Sequence, residues 1–147
     1  MNISVTKATL WVNRFLAAVM VALLFILPSM LDWYARIRPL TQSSAKLAIL
    51  IGFYCCALAV FPALWNLDVL LRNILKRDIF IPRNVTAIRH VRWYCMAVSA
   101  ICLPASYFYQ PLIFMVIIMF FLSLILSVLG EVMAAAVEIR EENDLTV

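Results

Sequence analysis

Reactive side chains are scarce in this sequence. Its thiols are Cys55, Cys56, Cys95 and Cys102, and its only imidazole is His90. A zinc site needs about four converging nitrogen or sulfur ligands. There is no C-x-x-C pair, and a lone histidine does not complete a set with cysteines scattered through apolar runs. The thiols therefore read as small apolar packing residues, and no metal or cofactor is expected. The apolar runs carry no Ser/His or Asp/Asp constellation, and His90 has no evident triad partners. No catalytic residue and no enzymatic activity is expected.

What remains is charge, and it is segregated. Residues 66–94, NLDVLLRNILKRDIFIPRNVTAIRHVRWY, hold six bases (Arg72, Lys76, Arg77, Arg83, Arg89 and Arg92) against Asp68 and Asp78. Residues 131–147, EVMAAAVEIREENDLTV, hold five acids (Glu131, Glu138, Glu141, Glu142 and Asp144) against Arg140. The two nets are +4 and −4. The basic stretch could meet anionic lipid headgroups, at about 1 kcal/mol per base, or dock a partner. Its candidate contacts are Arg72, Lys76, Arg77, Phe80, Arg83, Asn84, Arg89 and Arg92. In the acidic tail the candidates are Glu138, Glu142, Asp144, Leu145 and Val147. An apolar C-terminus can add as a strand to a groove, although a frayed tail fits as well. Glu138 and Glu142 could latch onto Arg83 or Arg89. Exposed ion pairs contribute only about 0–1 kcal/mol each, so several would have to act together. No recognition helix is evident, and direct nucleic-acid binding is not expected.

The elements that hold these charges are set by apolar runs. Of the 147 residues 66% are hydrophobic and 14% charged, where soluble domains carry roughly 25% charged residues. The composition excludes disorder and argues against a water-soluble fold. Charge-free runs cover residues 15–31, 47–67 and 93–130. A helix crosses about 30 Å of hydrocarbon in roughly 20 residues, so the third run is long enough to cross twice. Tyr107-Phe108-Tyr109-Gln110-Pro111 near its middle offers interfacial aromatics and a helix-starting proline. A signal-peptide reading of the first run fails at Pro28-Ser29-Met30, where a cleavage site would need an A-x-A pattern. The predicted fold is all-α: one integral membrane domain over residues 1–147, a four-helix bundle. Its spans are predicted at about 12–33, 47–67, 91–108 and 111–131, with a loop at 68–90 and a tail at 132–147.

Lys and Arg counts orient the spans. The N-terminus, the 68–92 segment and the tail share one side and hold nine of the twelve bases; the other side holds Arg36, Arg38 and Lys46. Both termini are expected in the cytoplasm. No acid, base or histidine sits deep inside a span, where coupled transporters usually hold one. Pro62 and Pro104 fall within spans and predict kinks. Ser123, Ser127 and Gly130 recur at i, i+4 and i+7, a small-residue face for close helix contact inside the bundle or in a homo-oligomer.

The basic stretch has its own periodicity. Leu67, Leu70, Leu71, Ile74 and Leu75 form an apolar stripe opposite Asp68, Arg72 and Lys76, with Asp68 one turn before Arg72. Arg77-Asp78 breaks the pattern, Pro82 fits a new first turn, and Val85, Ile88 and Val91 continue a stripe. The segment reads as a cytoplasmic amphipathic helical hairpin at the membrane surface, between spans two and three.

These residues carry a family likeness. Leu70-Leu71-Arg72-Asn73-Ile74-Leu75, then Ile79-Phe80-Ile81-Pro82-Arg83-Asn84-Val85 and Ile88-Arg89, with the ending Glu141-Glu142-Asn143-Asp144-Leu145-Thr146-Val147, resemble the bacterial membrane-protein group Domain of Unknown Function 2975. Ile81 departs from the Thr or Ser expected as helix N-cap, which weakens that helix start by about 1 kcal/mol. The resemblance implies four spans in the bacterial cytoplasmic (inner) membrane and no catalytic residues. It also implies a small cytoplasmic helix-turn-helix regulator as neighbour and partner. The leading expectation is a regulatory interaction protein that presents its basic hairpin and acidic tail to such a partner. The alternatives are a small transporter or an accessory subunit of one, and a toxin-immunity or membrane-protection protein.

Overall fold

The computed structural model describes residues 3–37, 43–76, 79–107 and 110–145. They form four helices: α1 (Ile3–Ile37), α2 (Ser43–Leu75), α3 (Pro82–Ala105) and α4 (Leu112–Leu145). No strand occurs among the described residues. At 1.5 Å per residue, α1, α2 and α4 are each about 50 Å long, well beyond the hydrocarbon thickness. Three stretches are long and apolar enough to cross a membrane: Ser4–Trp33, Ile49–Leu75 and Leu112–Asn143, with mean hydropathies of 2.3, 1.8 and 3.1. No more than 11% of the residues in any of their apolar windows is buried. Phe25, Leu58, Phe114, Phe121 and Val128 all face outward. So broad an apolar surface would drive aggregation in water and suits lipid. This is a membrane protein.

α3 is not among these three stretches. The span expected at 91–108 lies on a helix whose apolar part runs from Trp93 to its end at Ala105, about 20 Å. Its first half carries Arg83, Arg89 and Arg92, and these lower its hydropathy.

The helices run antiparallel in chain order. Leu24 of α1 meets Tyr54 of α2, while Asn13 meets Leu64. Gly52 lies against Ala105 at one end of the α2–α3 pair, and Asn73 bonds Asn84 at the other. Ser99 bonds Val116 between α3 and α4, and Arg92 bonds Ser127. Each helix packs on its chain neighbour; among the described residues α1 and α4 do not pack on each other. The expected four-helix bundle is thus open along one side. The polar and small residues account for this: α1 turns Asn13 to α2, and α4 turns Ser123, Ser127 and Gly130 to α3. A cavity of about 310 Å³ lies between the four helices, with Met20, Cys56, Cys102 and Met119 in its wall. Cys56 and Cys102 bring their sulfurs to 3.5 Å there, and all four cysteines are free.

Prolines lie inside three of the helices, Pro28 in α1, Pro62 in α2 and Pro104 in α3. Pro28 has no N–H, which leaves the carbonyl of Leu24 without its helical donor. The Tyr54 hydroxyl donates to that carbonyl at 2.9 Å. Within α2, the Asn66 side-chain amide donates to the Pro62 carbonyl at 2.8 Å. Pro104 lies in the last turn of α3, where Ser106 closes the helix through its backbone N–H to Cys102 and its hydroxyl to Leu103.

The amphipathic hairpin is not a separate surface element. Its arms are the last turns of α2 and the first turns of α3. The apolar stripes pack within the protein: Leu71, Val85 and Ile88 are buried. Helices α2 and α3 therefore continue unbroken to Leu75 and from Pro82 on either side of the turn.

Candidate functional site

The end of the molecule that holds the hairpin also holds most of the polar contacts. The turn is built around Asn84, which is fully buried. Its side-chain oxygen accepts a hydrogen bond from the Asn73 amide at 2.8 Å, and its own amide donates to the Ile79 carbonyl at 2.8 Å. Its backbone N–H bonds the Ile81 carbonyl at 3.0 Å. Pro82 opens α3, and Ile81 occupies the N-cap with no side-chain cap, as its side chain dictates. The asparagine side chains do not replace that cap; they tie the end of α2 to the turn and to the start of α3. Asn84, expected on the contact surface, is a structural staple and is withdrawn from any partner. A fully buried amide must have its hydrogen bonds satisfied inside the protein, and this one is.

The tail helix leans on that turn. Helix α4 continues past its charge-free run to Leu145. Val137 is buried. The Arg140 guanidinium donates to the Phe80 carbonyl at 3.4 Å, and Arg89 stands 3.9 Å from Glu131. Both members of the Arg89–Glu131 pair are more than half exposed, so the pair contributes about 0–1 kcal/mol. The tail does meet the hairpin, at Arg140 and at Glu131. A base of the tail reaches a backbone carbonyl, and Arg89 meets Glu131 at the start of the tail, while Glu138 is exposed.

The remaining predicted residues divide clearly. Lys76, Phe80, Arg83 and Arg89 are exposed. Arg92 is half-buried: it donates to Ser127 at 2.9 Å and stands 5.3 Å over the Trp93 ring. Ser123 is 3% exposed, and a Cβ on Gly130 would lie 3.6 Å from Ile88. The small-residue face is therefore the α3–α4 seam within one chain, where the arginine needs its serine. Arg77 and Val147 lie outside the described residues, as do the side chains of Asp144 and Leu145. Glu142 is exposed.

Sequence reasoning missed a second cluster at the same end. Asp68 binds Arg72 one turn on at 2.6 Å, as its spacing implied, and it also binds Arg14 of α1 at 3.2 Å. Asn13, 4% exposed, donates to the Leu64 carbonyl at 3.1 Å, while its side-chain oxygen has no partner. These residues line a cleft of about 250 Å³ between α1 and α2. The available signal was Asn13-Arg14 just ahead of the first apolar run and Asp68 just after the second. Antiparallel neighbours bring two such positions to one level.

No group of three or more His, Cys, Asp or Glu side chains that could hold a metal ion occurs among the described residues. The family model described as "Protein of unknown function (DUF2975)" matches residues 8–147, nearly the whole chain. No curated protein and no solved structure matches it.

Proposed function

The chain belongs to this family of proteins of unknown function, and from that premise we propose that it is a membrane-held interaction protein. Its hairpin end would form a cytoplasmic platform for a small helix-turn-helix regulator. One observation carries the reading. The end of α2, the start of α3 and the tail of α4 are tied into one unit by Asn84 and by the Arg140–Phe80 bond. That unit exposes Lys76, Phe80, Arg83 and Arg89 on the hairpin and Glu138 and Glu141 on the tail. Three helices held together beyond the apolar runs make a rigid docking face, and its mixed charge would select a partner by complementarity.

The reading requires α3 to cross the membrane as a fourth span. Its packing supports this. From Gly52–Ala105 to Asn73–Asn84, each helix advances about 31 Å at 1.5 Å per residue, a full hydrocarbon thickness. Arg92, about 12 Å in from Asn84 along α3 at 1.5 Å per residue, is satisfied by Ser127 and Trp93. The base count favours an arrangement with the platform and both termini in the cytoplasm of a bacterial cell. The central cavity favours docking over coupled transport: its wall is apolar or sulfur-bearing throughout, whereas coupling usually uses an ionisable group.

Two measurements test the proposal. Reporter fusions at residue 40 should report the outside, and fusions at residue 78 and at the C-terminus the inside. Cross-linking in native membranes followed by purification should recover one small DNA-binding protein, and it should be lost from Arg83→Glu with Phe80→Ser. An outside C-terminus refutes the topology. Recovery that the double substitution leaves unchanged refutes the platform.

A further inference from the structure

We propose that the cleft between α1 and α2 is a binding site for one anionic glycerophospholipid, held by its phosphate and its headgroup hydroxyls. The site lies between α1 and α2, uses none of the exposed platform residues Lys76, Phe80, Arg83 and Arg89, and does not depend on that function. Its residues come from two helix ends: Asn13, Arg14 and Ala17 from α1, and Phe61, Trp65, Asp68 and Arg72 from α2. The volume is about 250 Å³, within reach of a phosphoglycerol group but too small for a folded partner.

The chemistry of the wall selects the ligand. Asp68 is 13% exposed, and each of its oxygens is engaged, one by Arg14 and the other by Arg72. The carboxylate holds two guanidinium groups in place and leaves the three-group cluster with a net positive charge. Arg14 and Arg72 remain 49% and 56% exposed. A guanidinium carries five N–H donors, and the ion pairs with Asp68 use one from each. The remaining donors suit a phosphate, two of whose oxygens can be met together by the planar fork of a guanidinium.

The buried amide adds a second requirement. Asn13 has committed its N–H to Leu64, and its oxygen lacks a donor. An unpaired buried acceptor is destabilising, so a side-chain shift that turned this oxygen to the cleft would favour a ligand that brings a hydroxyl over a bare phosphate. An ammonium headgroup would supply a donor too, but it would meet two arginines. Below the charges the wall turns apolar at Ala17, Phe61 and Trp65, and Trp65 is 73% exposed. The polar end of the cleft lies at the level where the charge-free runs begin and end, the depth of headgroups rather than of acyl chains or bulk water. A ligand with a hydroxylated phosphate head and apolar chains meets all of these conditions, and phosphatidylglycerol is the simplest one.

Native mass spectrometry of the full chain released from detergent micelles tests this, with phosphatidylglycerol, phosphatidylcholine and soluble glycerol phosphate as separate probes. One phosphatidylglycerol per chain should be retained, at least tenfold more tightly than phosphatidylcholine. Arg14→Gln and Arg72→Gln should each weaken it about fivefold, the change that roughly 1 kcal/mol per base corresponds to. Ala17→Phe, which fills the cleft and leaves every charge in place, should abolish the one-to-one retention. Arg83→Gln, outside the cleft, should leave it unchanged. Helical content of each variant, read by circular dichroism, separates loss of the site from loss of the fold. Three results would overturn the proposal: equal retention of both lipids, an Arg83→Gln effect as large as that of Arg14→Gln, or full binding by Ala17→Phe that has kept its helices. Glycerol phosphate binding as tightly as the lipid would show a soluble phosphate ligand and overturn the lipid assignment.

Discussion

Removing the Tyr54 hydroxyl should cost stability only because Pro28 is present. In an unbroken helix the Leu24 carbonyl accepts the N–H of residue 28; proline has none. In this protein the Tyr54 hydroxyl occupies that carbonyl at 2.9 Å, joining α2 to α1. Tyr54 is 39% exposed, but at this depth it faces hydrocarbon, and no water replaces a lost donor. Interhelical hydrogen bonds in membranes are worth about 0.6–2 kcal/mol. Tyr54→Phe should therefore destabilise the protein by about 1 kcal/mol. Pro28→Ala restores the helical donor, so in that background Tyr54→Phe should cost near zero. Unfolding in mixed micelles, followed by circular dichroism across the four members of this double-mutant cycle, gives the coupling energy directly. An equal cost of Tyr54→Phe with and without Pro28 would refute the reasoning, because the hydroxyl would then not be acting on the carbonyl that proline frees.

Asn84→Leu should destabilise the hairpin by about 1–3 kcal/mol, because it strands the Asn73 amide and the Ile79 carbonyl together; faster limited proteolysis between residues 76 and 81 would register it, and an unchanged cleavage rate would contradict the staple. Gly130→Ala should be tolerated, since the added Cβ meets Ile88 at an ordinary 3.6 Å. Gly130→Leu should push α4 from α3 and cost about 1–3 kcal/mol, and equal melting temperatures for the two variants would contradict the close seam.

Much of the architecture was legible in the residues because hydrocarbon is an unforgiving solvent. A charge cannot sit in it cheaply, so the runs at 15–31, 47–67 and 93–130 marked where α1, α2 and the apolar parts of α3 and α4 would fall. Local rules carried equally well. Pro82 opens α3, and the third run is interrupted between Ala105 and Leu112, around the 107–111 stretch expected to break it. The asparagines were harder to read, since a polar side chain fits a surface as well as a staple, and periodicity does not distinguish them. Asn84 was placed among exposed contacts because its neighbours are basic.

Sequence by itself thus determined which segments are helices, which stretches suit lipid, and which end of the molecule gathers charge, because each follows from local periodicity and from transfer out of water. Tertiary structure alone decided who meets whom. Arg14 finds Asp68 across 54 positions, Arg140 reaches the Phe80 carbonyl across 60, and the Ser127 face turns to Arg92. These outcomes depend on the rotation and vertical offset of whole helices. Both are set by the sum of many weak packing contacts along each seam, and no single window of sequence contains that sum.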